Sequence, residues 1–421
     1  MNQLIYDATL LTLAGPPGPR SGRDMGSLGI VRQGAVLMGG GKILAVGPQD
    51  YVRQQPEAKN AMRYRAEERV VMPGFVDSHT HPVFGAERLQ DFALRVRGKS
   101  YEEIAEQGGG IRSSIHAMRG ATEEELTRRL RRQARLFLEC GTTTIEGKSG
   151  YGLDKDSELK ALRVMRHAAQ GSPLGIVPTF LGAHAVPPEY AGRSGDYVRM
   201  MCEEVLPVVA REELAVFVDA FCENGYFTPA ETETFLRAGA KAGLAVKIHA
   251  EQLSHSGGAA VAGRLGAVSA DHLDHVDDDD LTRLKASGTI AALVPGSNHF
   301  LGSRDYPPAR RIIDADLPVA LATDFNPGSC PCWNMQEIIS IAATRMRMTP
   351  EEAITAATIN GAYALGMGRT LGSLESGKAA DVIVLDCRDY RELPYWFGAN
   401  LLVMAFKAGN MVHARRELRD A

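Results

Sequence analysis

Short apolar runs broken by turn residues occupy both ends of the chain, and a different alternation fills the middle. The early segments LIYDATLLTL and AVLMGGGKILAVG are strand-like, with Gly39, Gly40 and Gly41 dividing the second into two halves. Runs bounded in this way predict antiparallel β-structure. The late segments LGSLESGKAADVIVL and LLVMAFKAGNMVHARREL have the same character, so both chain ends are expected to supply β-sheet.

Between them lie eight strand-like runs, at residues 70–76, 142–145, 175–181, 215–221, 244–248, 267–270, 289–294 and 318–322. They alternate with segments such as ATEEELTRRLRRQARLFLECG and PAETETFLRAGAKAG, whose apolar residues recur at helical spacing, with acidic first turns and a closing glycine. This order predicts an α/β protein: a (β/α)8 TIM barrel over residues 72–370, and a small composite β-sandwich domain from residues 1–71 and 371–421. An open doubly wound sheet would share the β–α order. The polar residues favour the barrel. His79 and His81, Glu146 and Lys148, His184, Glu223, His249, His272, Asn298 and Asp324 each follow an apolar run directly. A barrel keeps its active site at the C-terminal ends of its strands, whereas an open sheet needs such groups only beside its switch point.

Composition narrows the class without changing the fold. Of 421 residues, 44% are apolar and 23% charged, and 47 Lys and Arg against 51 Asp and Glu leave a net charge of -4. This is the balance of a globular enzyme, with no global attraction to nucleic acid or to an anionic membrane. The N-terminal stretch has no basic leader and no long apolar run follows it, so a cytoplasmic location is expected. The six cysteines show no disulfide or zinc-knuckle spacing, and the two thiols of Cys330-Pro-Cys332 cannot complete a zinc tetrahedron. Residues 15–26, GPPGPRSGRDMG, read as a mobile surface loop. The acidic run 277–280 reads as a solvated helix start.

The chemistry concentrates in His79-Thr-His81. Two histidines at i and i+2 lie on one side of an extended strand, so their ring nitrogens are placed to share an ion. His249, His272 and Asp324, each at a strand end, complete a set of imidazoles and carboxylate suited to Zn²⁺ or Fe²⁺. An ion held this way acidifies water to a pKa of about 7, the logic of hydrolysis.

These residues resemble the amidohydrolase superfamily. More narrowly, the chain is similar to the imidazolonepropionase family over nearly its whole length. The likeness rests on PGFVDSHTHPVFG (73–85), KSGYGL (148–153), LGAH (181–184), SADHL (269–273), LATDFNPGS (321–329) and PYWFGAN (394–400). The resemblance implies one divalent or trivalent metal ion, Zn or Fe, held by His79, His81, His249 and Asp324, with Asp324 and His272 catalytic. It implies hydrolysis of the cyclic amide of 4-imidazolone-5-propanoate to N-formimidoyl-L-glutamate, in histidine degradation. Arg88, Tyr151, His184, Gln252, Asn326, Gly328 and Ser329 match its substrate-binding positions, Arg88 as the cation for the carboxylate tail. The backbone N–H groups and side chains of 326–329 are expected to hold the ring or the new carboxylate. Lys148 is expected to be structural or a polar support behind the ligands, and the assembly a homodimer. One departure stands out: part of the family reads His-Ala-Asp-Glu where this chain has His249-Ala-Glu-Gln252. Gln252 keeps a hydrogen bond to the ring and cannot act as a base; Glu251 substitutes only where the strand turns it inward. Another cyclic amidase or a deaminase on the same scaffold is the nearest alternative, and an inactive binding barrel the more distant one.

Overall fold

Eight parallel strands, each separated from the next by helical crossovers, form the centre of the computed structural model, which describes residues 1–99, 103–104 and 108–415. Five strands precede them: β1 (Gln3–Leu11), β2 (Ile30–Gly39), β3 (Lys42–Pro48), β4 (Met62–Arg65) and β5 (Val70–Pro73). The barrel strands are β6 (Phe75–Asp77), β7 (Thr142–Lys148), β8 (Gly175–Ala183), β9 (Phe217–Cys222), β10 (Ala245–Ala250), β11 (Ser269–His272), β12 (Ile290–Leu293) and β13 (Val319–Leu321). They pair in sequence order from β6 to β13. β14 (Val382–Leu385), β15 (Leu402–Lys407) and β16 (Asn410–Ala414) follow. The expected helices are present: Glu123–Glu139 and Pro229–Lys241 both start in capping boxes, Thr122 with Glu125 and Thr228 with Glu231. Each box satisfies two N–H groups that a helix start leaves open. The acidic run forms a third, Asp277 with Asp280, although Asp280 is buried rather than solvated.

The barrel is drawn together between its first and last strands at their C-terminal ends. The Asp77 carboxylate accepts from Thr323 N–H at 3.0 Å and from Thr323 Oγ1 at 2.6 Å. Beyond it, Asp324 N–H donates to the His79 carbonyl at 3.0 Å and His81 N–H to the Phe325 carbonyl at 2.8 Å. The two segments that carry candidate ligands are thereby locked in register.

The expected strand at 70–76 proves to be two, divided at Gly74. A Cβ at Gly74 would lie 2.3 Å from Thr143 Cγ2, so only glycine lets the chain pass there. Its first half, β5, pairs with β1 and β14 in a mixed sheet of order β16-β15-β14-β5-β1-β2-β3, with β4 alongside β1. Both chain ends meet in that sheet, where Val382 pairs with Pro73. Apolar clusters line it, Ile5, Leu10, Val36, Val71 and Val382 in one and Leu4, Leu37 and Val52 in another. The C-terminal unit was expected to run to 421; residues 416–421 lie outside the described residues.

Residues 15–26 are not the mobile loop their composition suggests. Arg20 is 7% exposed and Met25 fully buried. Asn360, in the π-helical turn Ala356–Asn360, accepts from Arg20 N–H at 2.7 Å and donates to the Arg20 and Val319 carbonyls at 2.8 Å each. Thr355 Oγ1 donates to the Met25 carbonyl, and Gly18 N–H to the Tyr363 hydroxyl. The segment therefore docks on a helical turn that Asn360 in turn ties to β13 of the barrel, through backbone groups that a composition reading cannot see. Asn360→Ala removes all three bonds and leaves buried backbone groups unpaired, at a cost on the order of 2–3 kcal/mol. Denaturant unfolding should show that loss; an unchanged midpoint would return the segment to the status of a loose loop.

Candidate active site

The strand ends build the site from alternating positions. β10 places Lys247 and His249 on its inner face, and β11 sets Asp271 beside His249 and His272 beside Ala250. His272 and Asp324 both adopt left-handed backbone, φ 79° and 53°, and Leu273 follows at 64°. Non-glycine residues rarely hold that conformation, and here it ends each strand in a sharp turn at a candidate ligand.

His79, His81, His249 and Asp324 bring their donor atoms together. His79 Nε2 lies 3.2 Å from His81 Nε2, and His249 Nε2 lies 3.5 Å from it. Asp324 Oδ1 is 3.5 Å from both His79 Nε2 and His81 Nε2. A donor atom of His272 is within 4.8 Å of those of His79 and His249. The Nδ1 of His79 bonds Asp271 Oδ2 at 2.6 Å, and that of His249 bonds the Asp219 carboxylate at 3.1 Å. A carboxylate takes the proton of each Nδ1, so the facing Nε2 atoms carry lone pairs. Lone pairs at this range repel unless a proton or a cation lies between them. Protons are disfavoured: burial above all, then Lys148 and the neighbouring imidazoles, drives His79 and His249 well below their usual pKa, and burial with His184 does so for His81. The donor set therefore fits a metal ion. Burial pushes Asp324 up to about 8, and a cation among these donors would reverse that shift.

Beneath the imidazoles lies a layer of charge. Lys148 Nζ contacts Asp219 at 2.6 Å, Glu146 at 3.1 Å and Asp271 at 3.2 Å, and Lys247 Nζ contacts Glu146 at 2.6 Å, all fully buried. Burial works against the Lys148 charge, yet the three carboxylates outweigh it and raise its pKa. Lys148 is thus structural, as expected. Asp219, Asp271 and Lys247 escaped the sequence reading; the available signal was a charged residue inside each apolar strand, as in FVDAFC and AVKIHA.

Above the imidazoles opens a cavity of about 570 Å³ lined by His81, Arg88, Tyr151, His184, His249, Gln252, His272, Asp324, Asn326, Gly328 and Ser329. His79 lies under its floor, fully buried. His184 Nδ1 is 2.8 Å from the Gly150 carbonyl and donates to it, which leaves Nε2 an acceptor; burial lowers its pKa to about 4. The Arg88 guanidinium sits 5.9 Å from the Tyr151 ring centroid, with Nε donating to Ser114 Oγ. A Cβ at Gly328 would be 2.5 Å from Arg88 Nη1. Asn326 Oδ1 accepts from Gly328 N–H at 2.8 Å and Ser329 N–H at 2.7 Å. Those two N–H groups are consequently spent on the turn rather than turned to a ligand, a difference from expectation.

Three buried carboxylates hold the surrounding loops. Glu251 accepts from the backbone of Ser256, Gly257 and Ala259, and so does not line the cavity, whereas Gln252 does. Glu158 accepts from Gly150, Gly152 and Leu153, fixing the turn that presents Tyr151. Glu223 accepts from Asn224, Leu253 and Ser254. Cys330 and Cys332 join none of the donor groupings among the described residues.

The amidohydrolase family model matches residues 70–412. The imidazolonepropionase of Solibacter usitatus is 46% identical, covering 96% of this chain and 97% of that protein. That of Parabacteroides distasonis is 45% identical over 97% of this chain and 98% of its own length. The chain belongs to the imidazolonepropionase family of amidohydrolases. Among solved amidohydrolase-like folds, a triazine hydrolase variant superposes with a TM-score of 0.75 at 17% identity, covering 98% of this chain and 95% of that one. A zinc-bound adenosine deaminase from Xanthomonas campestris gives 0.69 at 18%, covering 99% and 93%. At such identities these neighbours share the fold alone.

Two measurements test the electrostatics. Lys148→Met strands Asp219 without its counter-ion and leaves Asp271 only Lys247 at 4.0 Å, and should cost about 3–5 kcal/mol in denaturant unfolding; a loss under 1 kcal/mol would make the layer incidental. In NMR titration of the metal-free protein, burial should keep His184 and His272 neutral down to about pH 4. His255, whose partner Asp280 favours the charged form, should titrate above 6.5. A His272 midpoint near its ordinary value would show that water reaches the ring.

Proposed function

We propose that the protein opens the ring of 4-imidazolone-5-propanoate by hydrolysis to N-formimidoyl-L-glutamate, a step of histidine degradation. What carries this reading is the cluster of lone-pair donors on the floor of a cavity whose wall holds Arg88, a cation for a carboxylate tail. It is supported by relatives of that name along nearly the full chain.

One Zn or Fe ion held by His79, His81, His249 and Asp324 supplies the Lewis acidity and the acidified water that amide hydrolysis requires at neutral pH. The chain's own residues do the rest. Asp324 takes the proton of the attacking water and passes it to the departing ring nitrogen. A C–O bond forms at the ring carbonyl, the C–N bond breaks, and the old carbonyl becomes the α-carboxylate. His272, neutral because burial lowers its pKa to about 4, offers an N–H to the oxygen that gains charge. Arg88 binds the tail carboxylate, with Tyr151 beside it. His184 Nε2 accepts a ring N–H, and Gln252 bonds the ring from the end of β10. Asn326 shapes the turn that sets Gly328 and Ser329 against the substrate. The reading extends to a homodimer acting on a small molecule in the cytoplasm, in keeping with a net charge of -4; no described helix is long and apolar enough to cross a membrane.

The deciding assay follows the ultraviolet loss of freshly generated imidazolone propanoate, with bound metal analysed in the same sample. Turnover should vanish on chelation and return with the ion. Asp324→Asn should lower kcat by about 10²–10⁴-fold, and His249→Ala should abolish both metal retention and turnover. Full metal occupancy without loss of this substrate would move the reaction to another cyclic amide.

A further inference from the structure

Arg95, at the end of the helix Leu89–Arg95, reaches the same cavity as Arg88 and has no role in the reading so far. Its Nη2 donates to the Gly328 carbonyl at 3.1 Å, and its guanidinium stands 5.5 Å from the Phe300 ring centroid. Its Nη1 is buried and has no hydrogen-bond partner among the described residues. A guanidinium has five N–H donors and no acceptor, so an unpaired buried Nη1 carries a desolvation penalty that an acceptor oxygen of a ligand would relieve. Gly328 joins the two arginines. Arg95 grips its carbonyl, while Arg88 occupies the space where its Cβ would be.

The charge around Arg95 is incompletely answered by the chain. Burial pulls its pKa down, Asp91 one turn earlier opposes that, and Arg88 adds to it. Asp91 is itself committed, with Oδ2 accepting from Gly110 N–H at 2.8 Å, and no ion pair joins it to Arg95 among the described residues. Two guanidiniums therefore flank one glycine at the rim of a cavity, one with a spare buried donor. A carboxylate, with about four lone-pair sites, is the simplest group that accepts from both at once.

We propose that Arg95 is a second substrate-binding residue of this site, which holds the tail carboxylate together with Arg88 and so sets the enzyme's preference for an anionic tail. The proposal rests on the ring-opening reading for the identity of that tail. It makes the turn at Gly328 part of the specificity device, because the contact that anchors the turn also aims the guanidinium.

The test compares two inert probes, imidazole-4-propanoate and its carboxamide, by calorimetry on the metal-loaded enzyme. Wild type should bind the propanoate more tightly than the carboxamide. Arg95→Met should weaken the propanoate about tenfold while leaving the carboxamide within about twofold. Arg95→Lys, which keeps the charge and loses the fork, should fall between the two and serves in place of the methionine variant if that one does not fold. Equal loss for both probes would make Arg95 a support for the Gly328 turn alone and overturn the proposal, as would no loss for either. The ring-opening assay on wild type is read separately. Failure there, with the probe discrimination intact, removes the proposed reaction and leaves the carboxylate site standing.

Discussion

The contact between Lys148 and the carboxylates of Asp219 and Asp271 is the constraint on which the site depends. Barrel interiors of this kind are usually filled by branched apolar side chains. Here a layer of the interior is ionic and fully buried. Desolvating five charges is expensive, and it is tolerated only because every member is paired at 2.6 to 3.2 Å. The return is orientation. Asp219 and Asp271 each face Lys148 on one side and an imidazole Nδ1 on the other, so the direction in which His249 and His79 point their lone pairs is set from below. Removing Lys148 would leave two adjacent carboxylates competing for protons, and the imidazoles would lose a fixed tautomer before they lost their places.

The same device recurs in the loops. Glu158, Glu223 and Glu251 are buried carboxylates whose oxygens accept backbone N–H groups from the turns following a strand. A loop that crosses a cavity mouth must satisfy its backbone without a sheet ladder, and an acidic side chain from the strand end or the next helix supplies several acceptors at once. This explains the glycines of Lys-Ser-Gly-Tyr-Gly. Gly150 runs at φ 105°, and a Cβ there would lie 3.0 Å from His184 Nδ1. The turn presents Tyr151 only because Gly150 can bend left and Glu158 can hold what the bend exposes.

The architecture was legible from the sequence because period and placement agreed. Eight apolar runs, each ending in a polar group, describe a barrel with its chemistry at one end, and the expected substrate-binding residues from Arg88 to Ser329 all line the cavity wall, beside others that were not singled out. What escaped was charge facing inward. Asp219 and Lys247 look like interruptions of a strand until the neighbouring strands are in place, since pairing across a barrel joins residues 71 and 101 positions apart. Composition misled at residues 15–26, where glycine and proline suggested mobility but Asn360, 340 positions away, ties down the backbone. The 70–76 run also misled, because periodicity does not register a glycine that hands the chain from one sheet to another. Arg95 was overlooked for a different reason: an arginine at the end of a short helix looks solvated in sequence, and its half-buried place in the cavity wall depends on contacts with Phe300 and Gly328.

Glu251 and Gln252 show how strand geometry assigns chemistry. Neighbouring residues at the end of β10 cannot both face the cavity. Glu251, at φ 53°, turns into its own loop and accepts three N–H groups, which removes it as a base. Gln252 faces the cavity but has no proton to take. The carboxylates on the cavity wall are then Asp91 and Asp324, and Asp91 lies beside the arginines with an oxygen committed to Gly110. In the proposed reaction the proton passes from water to the ring nitrogen by way of Asp324, whose left-handed backbone aims it at the imidazole cluster and whose main-chain N–H is fixed to His79. On that proposal one carboxylate would both hold an ion and carry a proton. Such double duty would require an oxygen to spare: Oδ1 lies 3.5 Å from both His79 Nε2 and His81 Nε2, which would leave the other oxygen of the same group for the proton.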